Sequence, residues 1–259
     1  MRESIRILGL LSLLCVSFYT TNQLALFMKE KDPIYQSILV LKEDYESKPF
    51  DATILDRYII PGYNGETIDL EKSYKKMHQN GVLEQSKLVY EARTPSVTLK
   101  NHKDKIIFQG NLQKGGVSLL IDSEEFSTYF DELGISYTIL TTKENVSHHY
   151  AFGEKVNSDE KNYDELEKIL KKKGEQLSYC YVNKVSEESC FKHGKYLFLE
   201  SKKITNANYL SLYKNISSGD ILYLDKNLNR SYLKSLLSQI EFKGFKILPL
   251  SKFLSEERF

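Results

Sequence analysis

The stretch Gly115-Gly116-Val117-Ser118-Leu119-Leu120-Ile121-Asp122-Ser123-Glu124-Glu125 is an apolar run of strand length that ends on a carboxylate and then turns polar. A strand that delivers an Asp at its carboxyl end can present a general base or a metal ligand. The competing reading of Asp122 is a capping carboxylate at the start of the following helix, a role that suits Asp. Few other groups offer chemistry. His148 and His149 are adjacent, and neighbouring side chains point in different directions from most backbones, so such a pair rarely binds one ion. His193, in Lys192-His193-Gly194, reads as a turn residue. The pairs Glu124-Glu125 and Glu187-Glu188 lie on helix-like surfaces, unlike the facing carboxylates of a glycosidase. The chain contains no G-x-S-x-G, G-x-x-x-x-G-K-[ST] or H-E-x-x-H motif. Pro61-Gly62-Tyr63-Asn64-Gly65 carries two turn signals and lacks the Lys-Ser/Thr of a phosphate loop.

The elements that must position these groups follow a simple order. Strand-like segments cover 117–122, 137–141, 178–182, 196–199, 220–224 and 246–249, and helical segments cover 124–133, 163–173, 207–214 and 230–242. Short, continuous apolar strands between helices predict a parallel sheet covered by helices, with barrel-like closure and a site at the strands' carboxyl ends. Ahead of this lies an expected small α+β module over 51–103, with Asp69 as the N-cap of a helix that ends before Asn80-Gly81. Residues 29–50 are charged and weakly amphipathic and read as a helical stalk.

Residues 5–27 are apolar for most of their length, with Arg2 ahead of them and Arg6, the one charge within them, at their start. That is enough to span a bilayer, with the N-terminus cytoplasmic and the body outside. Segment 1–28 is therefore expected to be an uncleaved membrane anchor, with a cleaved signal peptide as the alternative. Cys15 falls in this segment. Cys180 and Cys190 form an even pair in an exported body and read as a disulfide closing a short loop, the other reading being two buried thiols. The 36 basic and 35 acidic residues give a net charge of +1, which argues against nucleic acid as the partner. The lysine run at 168–173 ends an amphipathic helix pattern, where cations suit the dipole.

The order and wording of the units from about residue 104 to 259 resemble the polysaccharide deacetylase (NodB-homology) family. Val117-Ser118-Leu119-Leu120-Ile121-Asp122-Ser123-Glu124 sits where that family has V-A-L-T-F-D-D-G. Residues 218–225 (SGDILYLD) resemble its G-S-I-I-L-L-H-D strand, and residues 244–254 (GFKILPLSKFL) its G-Y-x-F-V-T-L-S-E-L-L ending. The resemblance implies an α/β fold with a distorted (β/α) barrel, here preceded by the α+β module and the transmembrane helix. It also implies action on cell-wall or surface glycan. Active members use the first Asp as a base on metal-bound water. The second Asp and an H-x-x-x-H pair hold a divalent cation, usually zinc; a later His is the general acid, and an Arg orients the base.

Carried over residue by residue, this pattern leaves Asp122 at the base position and Ser123 where the metal Asp belongs. Lys155 and Asp159 fall on the histidine positions, Asp225 on the catalytic His, and Asn183 near the Arg. The resemblance therefore implies a domain without metal catalysis and without a cofactor, which binds or organises envelope glycan or a partner protein. One alternative is a divergent zinc-dependent N-deacetylase using Asp122 with His148 or His149. A second is a purely structural interaction module. Exposed tyrosines among the 18 in the chain could stack on sugars.

Overall fold

The computed structural model describes residues 2–175 and 177–258. In chain order the elements are α1 (Arg2–Glu30), α2 (Pro33–Tyr45), β1 (Thr53–Leu55), β2 (Tyr58–Ile60), β3 (Gly65–Ile68), α3 (Leu70–His78), β4 (Tyr90–Arg93), β5 (Ile106–Ile107), β6 (Gly116–Ile121), α4 (Glu124–Leu133) and β7 (Tyr137–Thr141). They continue with β8 (Gly153–Asn157), α5 (Tyr163–Lys172), β9 (Tyr179–Tyr181), α6 (Glu187–Lys192), β10 (Tyr196–Phe198), β11 (Lys202–Ile204), α7 (Tyr209–Leu212), β12 (Ile221–Leu224), α8 (Arg230–Phe242), β13 (Lys246–Ile247) and α9 (Leu250–Leu254).

Two units share the chain, and their boundaries differ from the sequence expectation. The smaller holds residues 1–48 and 65–93, the larger 49–64 and 94–259. Segment 49–64 leaves the expected 51–103 module because β2 pairs in parallel with β5, Tyr58 opposite Ile106 and Ile59 opposite Ile107. Burial of Ile59 beside Ile107 and Phe198 fixes that assignment. The expected stalk is also corrected. Asp32 caps α2 by accepting from the Ile34 N–H, Pro33 opens the helix, and Ile38 packs with Ile68, Met77 and Leu88. In the same unit Asp69 caps α3 as expected, accepting from the Lys72 N–H at 2.9 Å.

The larger unit is α/β. One parallel sheet has the order β11-β12-β6-β7-β8, with β13 added beside the start of β6. A second has the order β1-β2-β5-β10-β9, parallel except for the β1–β2 hairpin. Alternation along the strands sorts their side chains. Leu120, Leu140, Val156, Ile221 and Tyr223 meet Ile59, Ile107, Tyr179, Tyr181 and Phe198 in one inner core shared by both sheets. Val117, Leu119, Ile121, Ile139, Leu222 and Leu224 face the other way, onto Phe126 and Phe130 of α4 and Leu233, Leu236 and Ile240 of α8. Burial on both faces is why β6 reads as a continuous apolar run. No hydrogen-bonded ladder joins the two sheets among the described residues, so the shared core stands in place of the single closed barrel expected from the sequence. The glycine pair that opens β6 has two separate duties. Gly115 lies in the left-handed region at φ 61°, and a Cβ on Gly116 would sit 2.5 Å from the Lys246 carbonyl oxygen.

Candidate functional site at the carboxyl ends of the strands

The alternation that builds the inner core continues past the strand ends and decides which polar groups face its mouth. Asp122 has the inward parity of Leu120. Tyr223 and Asp225 have that of Ile221, Glu200 that of Phe198, and Asn183 that of Tyr181. These residues come from four strands whose carboxyl ends lie together because the strands are parallel.

Their hydrogen bonds form two linked halves. The Tyr223 hydroxyl donates to Asp122 Oδ2 at 2.7 Å. The Tyr181 hydroxyl donates to Glu200 Oε2 at 2.7 Å, and Asn183 Nδ2 donates to the same oxygen at 2.8 Å. The two tyrosine rings are nearly parallel, 16° apart with centroids at 6.4 Å. Burial pushes both phenols above their ordinary pKa, and the carboxylate that each serves adds to the effect. They therefore remain donors across the physiological range. Asp122 Oδ1 is buried with no hydrogen-bond partner among the described residues. Lys203 Nζ lies 5.3 Å from the Tyr223 ring centroid and 3.8 Å from Asp225 Oδ2. Asp225 Oδ1 accepts from the Asn227 N–H at 3.0 Å, so part of this carboxylate shapes the turn after β12.

The other residues singled out in the sequence lie outside this constellation. Ser123 is the N-cap of α4, its Oγ accepting from the Phe126 N–H at 3.4 Å. His148 Nδ1 is 2.7 Å from Glu124 Oε1, and His149 is exposed. Lys155 follows the opposite parity from Val156 and faces away from the inner core. Its Nζ is 3.4 Å from both the Val146 carbonyl and Glu175 Oε1. Asp159 is taken up by a local turn, accepting from the Asn162 N–H, Asn162 Nδ2 and the Lys143 N–H. Burial works against ionisation there, but these donors outweigh it and hold the carboxyl below its usual value.

Structure thus keeps Asp122, Asn183 and Asp225 of the sequence candidates at the mouth and adds Tyr181, Glu200, Lys203 and Tyr223. The signal for the two tyrosines was available, since each stands two residues after another inward position of its strand. For Glu200 and Lys203 the chain must turn after a three-residue strand, which leaves no periodic trace. Cys180 and Cys190 form the expected disulfide, joining β9 to α6.

A divalent cation fits poorly here. Ser123 offers a neutral hydroxyl already used as a cap, and Lys155 offers an ammonium group pointing elsewhere. Among the described residues no three His, Cys, Asp or Glu side chains are grouped to hold a metal ion. What the mouth does offer is two donor-bearing aromatic rings, three carboxylates and an amide. Both rings are buried in the inner core, so what the set presents is polar, and it suits hydroxyl-rich ligands, whose O–H groups find acceptors and donors.

No family profile matches the chain. A stretch of 104 residues, 40% of the chain, is 38% identical to the uncharacterized protein YlxY of Bacillus subtilis, and spans only 33% of that protein's length. The fold matches the crystal structure of BA3943, described as a CE4 family pseudoenzyme from Bacillus anthracis. The TM-score is 0.59 at 16% identity, covering 87% of this chain and 96% of that one. A BA3943 mutant described as having restored enzymatic activity matches with a TM-score of 0.55 at 18% identity, covering 87% of this chain and 99% of that one. At such identities the likeness is one of fold.

Proposed function

We propose that the chain is a divergent relative of the CE4 polysaccharide deacetylases that binds envelope glycan at the mouth of its inner core without hydrolysing it. In this reading the two sheets form an opened version of the family's distorted barrel. The observation that carries the proposal is the surroundings of the Asp122 carboxylate, one of whose oxygens is already taken. The base position is bound by the Tyr223 hydroxyl, and its neighbour Ser123 is spent on capping α4. A base that activates water needs that water held and polarised beside it. The side chains around Asp122 instead supply tyrosine hydroxyls, carboxylates and an amide that can pair with the hydroxyls of a sugar chain.

α1 contains a stretch, Leu11–Glu30, long and apolar enough to cross a membrane. We read it as an anchor that holds the body on the extracytoplasmic side, and the Cys180–Cys190 disulfide suits that compartment. The direct test is acetate release. Purified full-length protein supplied with zinc and an N-acetylglucosamine oligomer should liberate none above the protein-free control. Acetate release that disappears in Asp122→Ala would replace this reading with an active deacetylase.

A further inference from the structure

The end of α1 and the outward face of α3 meet in the smaller unit. Lys29, in the last turn of α1, pairs with Glu71 of α3. Its ammonium lies 5.2 Å from the Tyr35 ring centroid and 5.6 Å from that of Tyr74. Those two rings also pack edge to face at 5.5 Å. The Lys29 side chain therefore ties α3, through Glu71 and Tyr74, to the last turn of the apolar helix, whose apolar side chains end at Phe27 and Met28. The headgroup layer of a bilayer is about 5–7 Å thick on each side, so an α1 that spans the membrane brings the α3 residues tied to Lys29 close to it.

The composition of that face suits the position. α3 turns Ser73 and Met77 inward and leaves Lys72, Lys75, Lys76 and His78 exposed. Its acids are already engaged, Glu71 with Lys29 and Asp69 with Lys72 at 2.8 Å. Lys75 and Lys76 have no ion pair among the described residues. A cavity of about 410 Å³ opens between Lys29, Lys72, Tyr74, Lys75, His78 and Gln79, with Glu71, the partner of Lys29, also on its wall. Tyrosines beside lysines at the end of an apolar helix are the usual furniture of a membrane–water interface.

We propose that this face is a membrane-contact surface whose partner is the headgroup of an anionic phospholipid. The inference rests on reading α1 as an anchor. Continuity with the exposed apolar side chains of α1 selects a lipid over a dissolved anion, because only a lipid presents its phosphate at that level.

The chain has no tryptophan, so Gln79→Trp places a single fluorophore at the rim of the cavity. The full chain is reconstituted into nanodiscs of phosphatidylcholine, alone or mixed with phosphatidylglycerol, each doped with a headgroup-nitroxide lipid. Quenching should rise about threefold with the anionic lipid. It should fall back in high salt and in the double variant Lys75→Gln, Lys76→Gln. Protein that stays in the discs but is quenched equally in both lipids overturns the contact surface and leaves the anchor standing. Protein that is not retained in the discs overturns both.

Discussion

At the scale of single residues, the carboxylate that ends β6 is defined by what already holds it. Asp122 accepts a proton-bearing tyrosine instead of standing beside a second carboxylate. Sequence placed Asp122 at the mouth because an apolar run that ends on Asp keeps its alternation. It misplaced Lys155, because matching a degenerate motif carries no information about which face a side chain takes. Only the pairing of β8 with β7, Ile139 opposite Lys155, settles that. These positions yield a substitution test. Asp is as good an N-cap as Ser, so Ser123→Asp should leave the thermal midpoint within about 2 °C of the parent. The same variant should still release no acetate when given zinc, because His148 remains with Glu124 and Lys155 remains turned away. Zinc-dependent turnover from this one change would show that the metal site is nearer completion than its geometry indicates.

At the scale of elements, the short strands depend on cross-links that their length cannot supply. β9 and α6 are tied by Cys180–Cys190, ten residues apart. Replacing both cysteines with Ala should cost about 2–3 kcal/mol by the loop-closure argument. Denaturant unfolding of the oxidised parent against the double variant measures it, and equal midpoints would rule the estimate out. Lys114 ties the turn before β6 to the end of α9, donating to the carbonyls of Lys252 and Ser255. Burial pulls its ammonium down to about 8, against the pull of Glu257 and Glu256. The native state therefore holds fewer protons than the unfolded chain between pH 8 and the ordinary lysine value near 10.4. Stability from this group should rise as pH climbs from about 8 towards the ordinary lysine value, and should be lowest and flat below about 8, where both states hold the proton. Equilibrium unfolding of the parent and Lys114→Met across pH 7 to 9.5 tests this, and parallel profiles would contradict it. The strong helices and the long strands were legible from periodicity and caps. β5, two residues long, was not, because such a strand exists only through the partners that flank it.

At the scale of the whole molecule, the chain is two units threaded through each other in sequence. The smaller is built around α2, α3 and the antiparallel β3–β4 pair, the larger around two largely parallel sheets. A contiguous module was the natural sequence expectation, since nothing in residues 49–64 announces that β2 lies against β5. The resemblance to polysaccharide deacetylases was legible at both ends of the larger unit, where apolar strands carry the family's wording. The remodelled mouth was not, since it is assembled from residues as far apart as Asp122 and Tyr223. The mouth is proposed to hold glycan and not to cut it. Calorimetric titration of the full-length protein with an N-acetylglucosamine oligomer, followed by the mass of the recovered oligomer, tests both halves at once. Saturable heat is expected that weakens about tenfold or more in the double variant Asn183→Ala, Glu200→Gln, with every acetyl group retained. An oligomer that gives no heat, or one recovered lighter by an acetyl group, would contradict the proposal.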